Sequence, residues 1–147
     1  MPEENDLRFL ILMFGFHEEE RIEGRTRIQK EVCLLKYKYK FPFTFNYKSY
    51  YYGPYSEELS DTIDTLVGVK LLKETPITLG FSVFRYDYSL TKEGSQLFKK
   101  IKDRLTEEHN ESYVLNLKSN VNELEKVKTY DLVQLAKKET GLESISS

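Results

Sequence analysis

Residues 52–94 constrain this chain more than any other stretch. They open Tyr52-Gly53-Pro54-Tyr55-Ser56 and close Tyr88-Ser89-Leu90-Thr91-Lys92-Glu93-Gly94. Between these ends Leu59, Ile63, Leu66 and Val67 recur at helical spacing, which predicts an amphipathic helix over residues 55–67. Pro54 suits the first position of that helix. Gly68 stands where a left-handed C-cap forms, with Val69 able to pack back on the last turn. Residues 71–74 and 81–88 are rich in β-formers, and Thr75-Pro76 with Leu79-Gly80 mark a loop between them. Thr91 then caps a helix to about residue 105, with Gly94, Leu97, Phe98, Ile101 and Leu105 as its stripe. Glycine on that stripe implies a close approach of neighbouring backbone.

The flanking segments complete the frame. Leu7, Leu10, Ile11 and Phe14, widened by Phe9, Leu12 and Met13, predict a first helix over 6–16, capped by Asn5 or Asp6 and apolar on most sides. Such a helix belongs in a core. A solvated Glu18-Glu19-Glu20 connection follows, then a second helix over 24–39 with Ile28, Val32, Leu35 and Tyr39 on one stripe. Phe41-Pro42-Phe43 ends it, and residues 44–52 alternate as a strand. Two helices, a further helix, a two-stranded ribbon and a Thr-capped helix predict an α+β fold, a winged helix-turn-helix over residues 1–108. Residues 109–147 read as a C-terminal helical extension. Val114, Leu117, Val121 and Leu124 are spaced 3, 4, 3 there, a heptad-like seam suited to homodimerisation or to packing on the chain's own core. Thr129 caps a last helix that stops at Gly141.

Charge is distributed unevenly. The net charge is −2 over 147 residues, against a generic nucleic-acid-coating protein. Residues 21–48 nevertheless carry eight bases against Glu23 and Glu31, a net of +6. Residues 55–67 carry Glu57, Glu58, Asp61 and Asp64 and no base, a net of −4. One cysteine, Cys33, excludes an internal disulfide and fits a reducing compartment. No apolar run approaches the roughly 20 residues that span a bilayer, and the acidic leader is unlike a signal peptide. The chain reads as cytoplasmic, with no membrane partner.

Two stretches carry a resemblance. Ile22-Glu23-Gly24-Arg25-Thr26-Arg27-Ile28-Gln29-Lys30 resembles the I-x-G-R-T-R-L-Q-K of small prokaryotic proteins of the YwgA-like group. Tyr51-Tyr52-Gly53-Pro54-Tyr55-Ser56-Glu57-Glu58-Leu59 resembles the Y-G-P-Y-S-x-x-L of the same group. The 88–94 stretch is similar to the Y-x-L-T-x-x-G that closes the wing in many bacterial and archaeal winged-helix regulators. More distantly, Gly-Pro followed by a helix is similar to the Panacea domain of antitoxins. The resemblance spans about residues 5–105 and implies a winged-helix fold rather than an activity. By the same analogy, added helices commonly dimerise such regulators.

Charge also sorts the candidate sites. A groove-reading third helix presents Arg, Lys, Asn or Gln to bases, whereas this one presents four carboxylates that a polyanion would repel. The alternative DNA surface is the basic helix and strand plus the ribbon. It comprises Arg25, Arg27, Lys30, Lys36, Lys38, Lys48, Lys73 and Arg85, with Tyr37, Tyr39, Tyr47, Tyr50 and Tyr51 interleaved for stacking. Set beside this is a solvated surface over a tyrosine-bearing core. His17 and His109 stand far apart, so no metal cluster or nucleophilic triad is signalled. No glycine-rich phosphate loop appears, and Cys33 lies beside an apolar stripe as an inert thiol. No cofactor is implied. The expectation is a non-enzymatic, homodimeric, DNA-associated transcriptional regulator; the alternative is a protein-interaction adaptor or antitoxin-like module on the same scaffold.

Overall fold

The computed structural model describes residues 3–145. Helix α1 (Glu4–Phe16) is the hub, and every residue from Phe9 to Phe14 is buried. A helix with apolar residues on all sides has no face for water, and α4 (Lys92–Glu108), α5 (Glu111–Glu125) and strand β5 (Val83–Leu90) surround it. Its start lies earlier than Asn5 or Asp6 would set it. Glu3 takes the N-cap position, and Asp6, three residues on, accepts the Glu3 amide at 3.2 Å. Asp6 also accepts the Thr44 amide at 2.8 Å, tying the extended segment to the helix.

That segment keeps the alternation read from sequence but only part of the strand. Phe41, Phe43 and Phe45 point inward while Pro42, Thr44 and Asn46 face out. A ladder forms only at β2 (Lys48–Tyr50), antiparallel to β3 (Gly53–Tyr55) across a two-residue Tyr51-Tyr52 loop. Pro54 therefore does not start a helix. It pairs with Ser49 in β3, and Ser56 caps α3 (Glu57–Gly68) by accepting the Leu59 amide at 3.2 Å.

The end of α3 also differs. Gly68 is its last helical residue, and the left-handed position falls to Lys70 at φ 64°. Val69 is exposed rather than packed back. Strand β4 (Leu72–Gly80) runs straight through Thr75-Pro76, and the ribbon turns at Phe81-Ser82 instead. The sheet order β1-β5-β4 explains the tolerance: β4 is an edge strand, where proline's missing N–H removes no essential ladder bond. The short β1 (Ile22–Glu23), unforeseen in sequence, pairs with β5 at Tyr88 and Asp87.

Thr91 caps α4 as expected, accepting the Gly94 amide at 3.0 Å. A Cβ on Gly94 would stand 2.2 Å from the Leu71 carbonyl oxygen, so the stripe glycine marks a real backbone approach. Helix α2 (Arg25–Tyr37) packs against α6 (Thr129–Thr140) and β3. Thr129 is the first residue of α6 rather than its cap, which is Lys128, and Gly141 closes it at φ 74°. Val114, Leu117, Val121 and Leu124 are all buried in the cluster that holds α1 and α2, together with Leu132 and Ala136. The seam expected to dimerise faces its own chain. No helix among the described residues is long and apolar enough to cross a membrane.

Two glycine substitutions test this packing by thermal or urea denaturation. Gly94→Ala meets backbone and is expected to cost about 3 kcal/mol. Gly68→Ala meets open space at a helical position and is expected to stabilise by about 0.5–1 kcal/mol.

Candidate functional site

The expected DNA-contacting residues start from α2. Periodicity places Arg25, Gln29 and Lys30 toward β3 and α3, and Arg27 with Glu31 toward α5 and α6. On the first side Arg25 donates to the Tyr88 hydroxyl at 2.7 Å and to Ser60 Oγ at 2.9 Å, and pairs with Asp64. Tyr88 in turn donates to Glu74. Burial opposes the Arg25 charge, but Asp64 and Tyr88 outweigh it and raise its pKa. Burial and the Glu74 carboxylate push the Tyr88 phenol up to about 12.

Gln29 and Lys30 fix the entry to α3. The Gln29 amide group donates to the Ser56 carbonyl at 2.8 Å and accepts the Ser56 N–H at 2.9 Å. Lys30 Nζ donates to the Pro54 carbonyl at 2.7 Å from a buried position. Desolvation lowers this ammonium from 10.5 to about 8. The two signature-bearing stretches thus bind each other.

On the opposite side lies a polar cluster with His17 at its centre. His17 Nε2 is 2.7 Å from Glu31, and Nδ1 is 3.4 Å from Glu125. Arg27 Nε lies 2.9 Å from Glu31, and its terminal nitrogens donate to the carbonyls of Leu124 and Glu125 and to Thr129 Oγ1. Burial raises the Glu125 carboxyl, but the Glu19 and Glu18 amides, with His17, overcome this and hold it below its ordinary range. A polar pocket of about 360 Å³ opens over the cluster between Arg21, Glu23 and Thr129. Arg27 and the His17 imidazole both face Glu31 there, and His17 also faces Glu125, so the cluster is a polar network joining α2 to the α5–α6 corner.

The remaining cations divide. Lys36 donates to the Phe45 carbonyl and lies over the Tyr37 ring. Lys48 pairs with Glu57 at 2.6 Å. Arg85 sits between Asp87 at 2.7 Å and Glu23 at 3.2 Å. Lys38 and Lys73 are exposed, with no ion pair among the described residues. Of the eight residues two are buried, and four more are held by carboxylates or a carbonyl. Cys33 is buried, which pushes its thiol up to about 12 and leaves it unreactive.

Two features escaped sequence reasoning. One is the clasp of Glu125 on the Glu18 and Glu19 amides, both at 2.9 Å, across more than a hundred residues. No local signal announces such a pairing. The other is the apolar ribbon tip, with Leu79, Phe81, Val83, Phe84 and Tyr86 exposed. Its signal was available, since residues 75–84 contain no charge. A separate groove of about 700 Å³ has Leu7, Ile11, Leu97 and Ile101 at its floor, with Arg8 and Arg104 on its rim both turned toward Glu108.

No family model matches the chain. It is 42% identical over 84 residues to the uncharacterized protein YwgA of Bacillus subtilis (strain 168). The match covers 57% of this chain and 49% of that protein, so the chain spans about half the length of the curated relative it matches. The similarity supports the grouping drawn from the motifs and brings no activity with it.

Urea denaturation separates staples from surface cations. Arg27→Met leaves Glu31 buried without its guanidinium and is expected to cost about 3–5 kcal/mol; Lys38→Ala should stay within about 0.5 kcal/mol. The pH dependence has a defined sign. Below about pH 8 Lys30 is protonated in both states and the fold bears the desolvation cost. Between about 8 and 10.5 the unfolded chain holds a proton that the folded chain has lost, so this group makes stability rise with pH. Cys33 acts oppositely from 9.0 to about 12. The rise is therefore read as the difference between wild type and Lys30→Met, which should change across pH 8–10 and stay constant below pH 7.

Proposed function

We propose that the protein is a non-enzymatic protein-interaction module, of the adaptor or antitoxin-like kind, on a winged-helix frame. The frame is supported by the order α1, β1, α2, α3, β4, β5, in which the short β1 completes a three-stranded antiparallel sheet with the ribbon. The hairpin β2–β3 is then an insertion between the second and third helices.

One observation carries the interaction reading. Arg27 and Lys30 of α2 are turned inward as staples, while Glu57, Glu58, Asp61 and Asp64 of α3 remain exposed, Glu57 paired with Lys48 and Asp64 with Arg25. A surface presenting carboxylates where a groove reader presents cations gains little from counterion release. Its natural contacts are other proteins.

A DNA-associated regulator is the second reading, favoured by exposed Lys38 and by Lys73 at the base of the ribbon. Fluorescence anisotropy with labelled duplex DNA, from about 50 to about 200 mM salt, separates the two. The expected result is no binding tighter than roughly 10⁻⁴ M near physiological salt. A steeply salt-dependent Kd near 10⁻⁸ M, weakened by Lys38→Ala and Lys73→Ala, would move the conclusion to the regulator.

A further inference from the structure

The groove of about 700 Å³ lies between α1, α4 and the end of α3. Its volume falls within the roughly 300–1,000 Å³ of small-molecule sites. Its floor is wholly aliphatic: Leu7 and Ile11 from α1, Leu66 and Leu71 from the end of α3 and the residues after it, and Leu97 and Ile101 from α4. Contacts along the helices orient it. Arg8 reaches Glu108 at 3.0 Å, and a Cβ on Gly15 would run into the Phe98 ring, so α1 and α4 lie antiparallel. The close approach of the Leu71 carbonyl to Gly94 puts Leu71 beside the first turn of α4.

The groove is therefore aliphatic toward the first turn of α4 and charged toward its last turns. There Lys100, Arg104 and Glu108 follow one another at i, i+4 and i+8 along the rim, with Arg8 facing them from α1. Glu4, at the start of α1, is the other lining carboxylate. Glu108 serves both guanidiniums, but Arg104 stands 3.9 Å from it with its side chain 77% exposed. Lys100 is exposed and has no ion pair among the described residues. Three cations against two carboxylates leave one positive charge unmatched at the mouth of an aliphatic cleft. Shape and charge together select the occupant. A bilayer takes in side chains that project, whereas Ile11, Leu66 and Ile101 are buried at the bottom of the cleft. A two-fold pairing would set the rim cations against those of the copy. A partner helix needs an open run of groove for anchors at i, i+3, i+4 and i+7, and Leu66 with Leu71 bound this one at its apolar end. A small molecule with an apolar body and one negative charge matches both ends.

We propose that this groove binds a medium-chain aliphatic monocarboxylate, with its hydrocarbon chain over Leu7, Ile11, Leu97 and Ile101 and its carboxylate met by Lys100 and Arg104. The hydrocarbon gains by leaving water. The carboxylate finds an ammonium without a partner and a guanidinium with a distant one. The proposal does not rest on the protein-interaction reading, which draws on the α3 carboxylates and not on this groove.

Titration of the full chain with hexanoate, octanoate, decanoate and octanol, each below the concentration at which it self-associates, tests it by methyl NMR and calorimetry. Binding should saturate, and each added methylene should tighten it about four-fold until the groove is filled. The shifted methyls should be those of Leu7, Ile11, Leu97 and Ile101, and not those of Leu79 on the ribbon or Leu132 on α6. Lys100→Met, at an exposed position, should weaken octanoate about five-fold and leave octanol unchanged. Leu97→Ser should weaken the acid and the alcohol alike. The absence of saturable binding by any of the acids overturns the proposal. So does an affinity independent of chain length, a Lys100→Met loss equal for acid and alcohol, or shifts centred outside the groove. Uptake of anionic vesicles or of a helical peptide by the groove, in place of monomeric octanoate, overturns it too.

Discussion

The amide of Gln29 fills both hydrogen-bonding positions of the Ser56 backbone, and much of the fold depends on that contact. A buried peptide group at a helix start has no intrahelical partner for its N–H. Here it finds one on α2, and Lys30 holds the preceding Pro54 carbonyl a short distance away. Ser56 is thereby fixed as the cap of α3, β3 is fixed against α2, and the long passage from residue 38 to residue 56 needs little regular structure of its own. The aromatic residues Phe41, Phe43 and Phe45 can then enter the core from an extended chain with almost no ladder.

Electrostatics follow from the same arrangement. A count along the chain gives a basic segment and an acidic helix, which looks like two surfaces of opposite sign. Folding apposes them. Arg25 meets Asp64, Lys48 meets Glu57, and Arg27 turns away to the α5–α6 corner. Arg25 and Arg27 are partly desolvated but have several partners each, and losing one partner of such a pair costs far more than the pair contributes. Arg25, Arg27 and Lys30, which read as contacts for an external anion, make internal ties, whereas Lys38 and Lys73 stay exposed.

Periodicity and capping chemistry made the helices legible. The stripes of α1, α3 and α4, the Thr91 cap and the Gly141 stop all follow from local rules. Local rules failed where long-range packing decided. Pro76 signals a loop in isolation, and only its place on an edge strand makes it compatible with β4. Pro54 and Gly68 were given standard helix-end roles that Ser56 and Lys70 fill. The Val114–Leu124 spacing marks a heptad-like seam that is buried in the chain's own core, but spacing alone does not say whether the covering surface is another copy or the same chain. Among the candidate site residues, charge identified the cations and concealed their partners, which lie up to a hundred residues away.

The clasp of Glu125 on the Glu18 and Glu19 amides has a consequence for how the chain is made. Residues 3–108 contain the ribbon, the first four helices and almost all the signature residues, yet Arg27 and His17 are incomplete without α5 and α6. During synthesis the N-terminal portion emerges first. Until Glu125 and the Leu124 carbonyl are available, it carries a guanidinium and an imidazole with part of their coordination missing, beside the buried Glu31. Helices α5 and α6 thus complete these contacts only after the elements they close upon have been made.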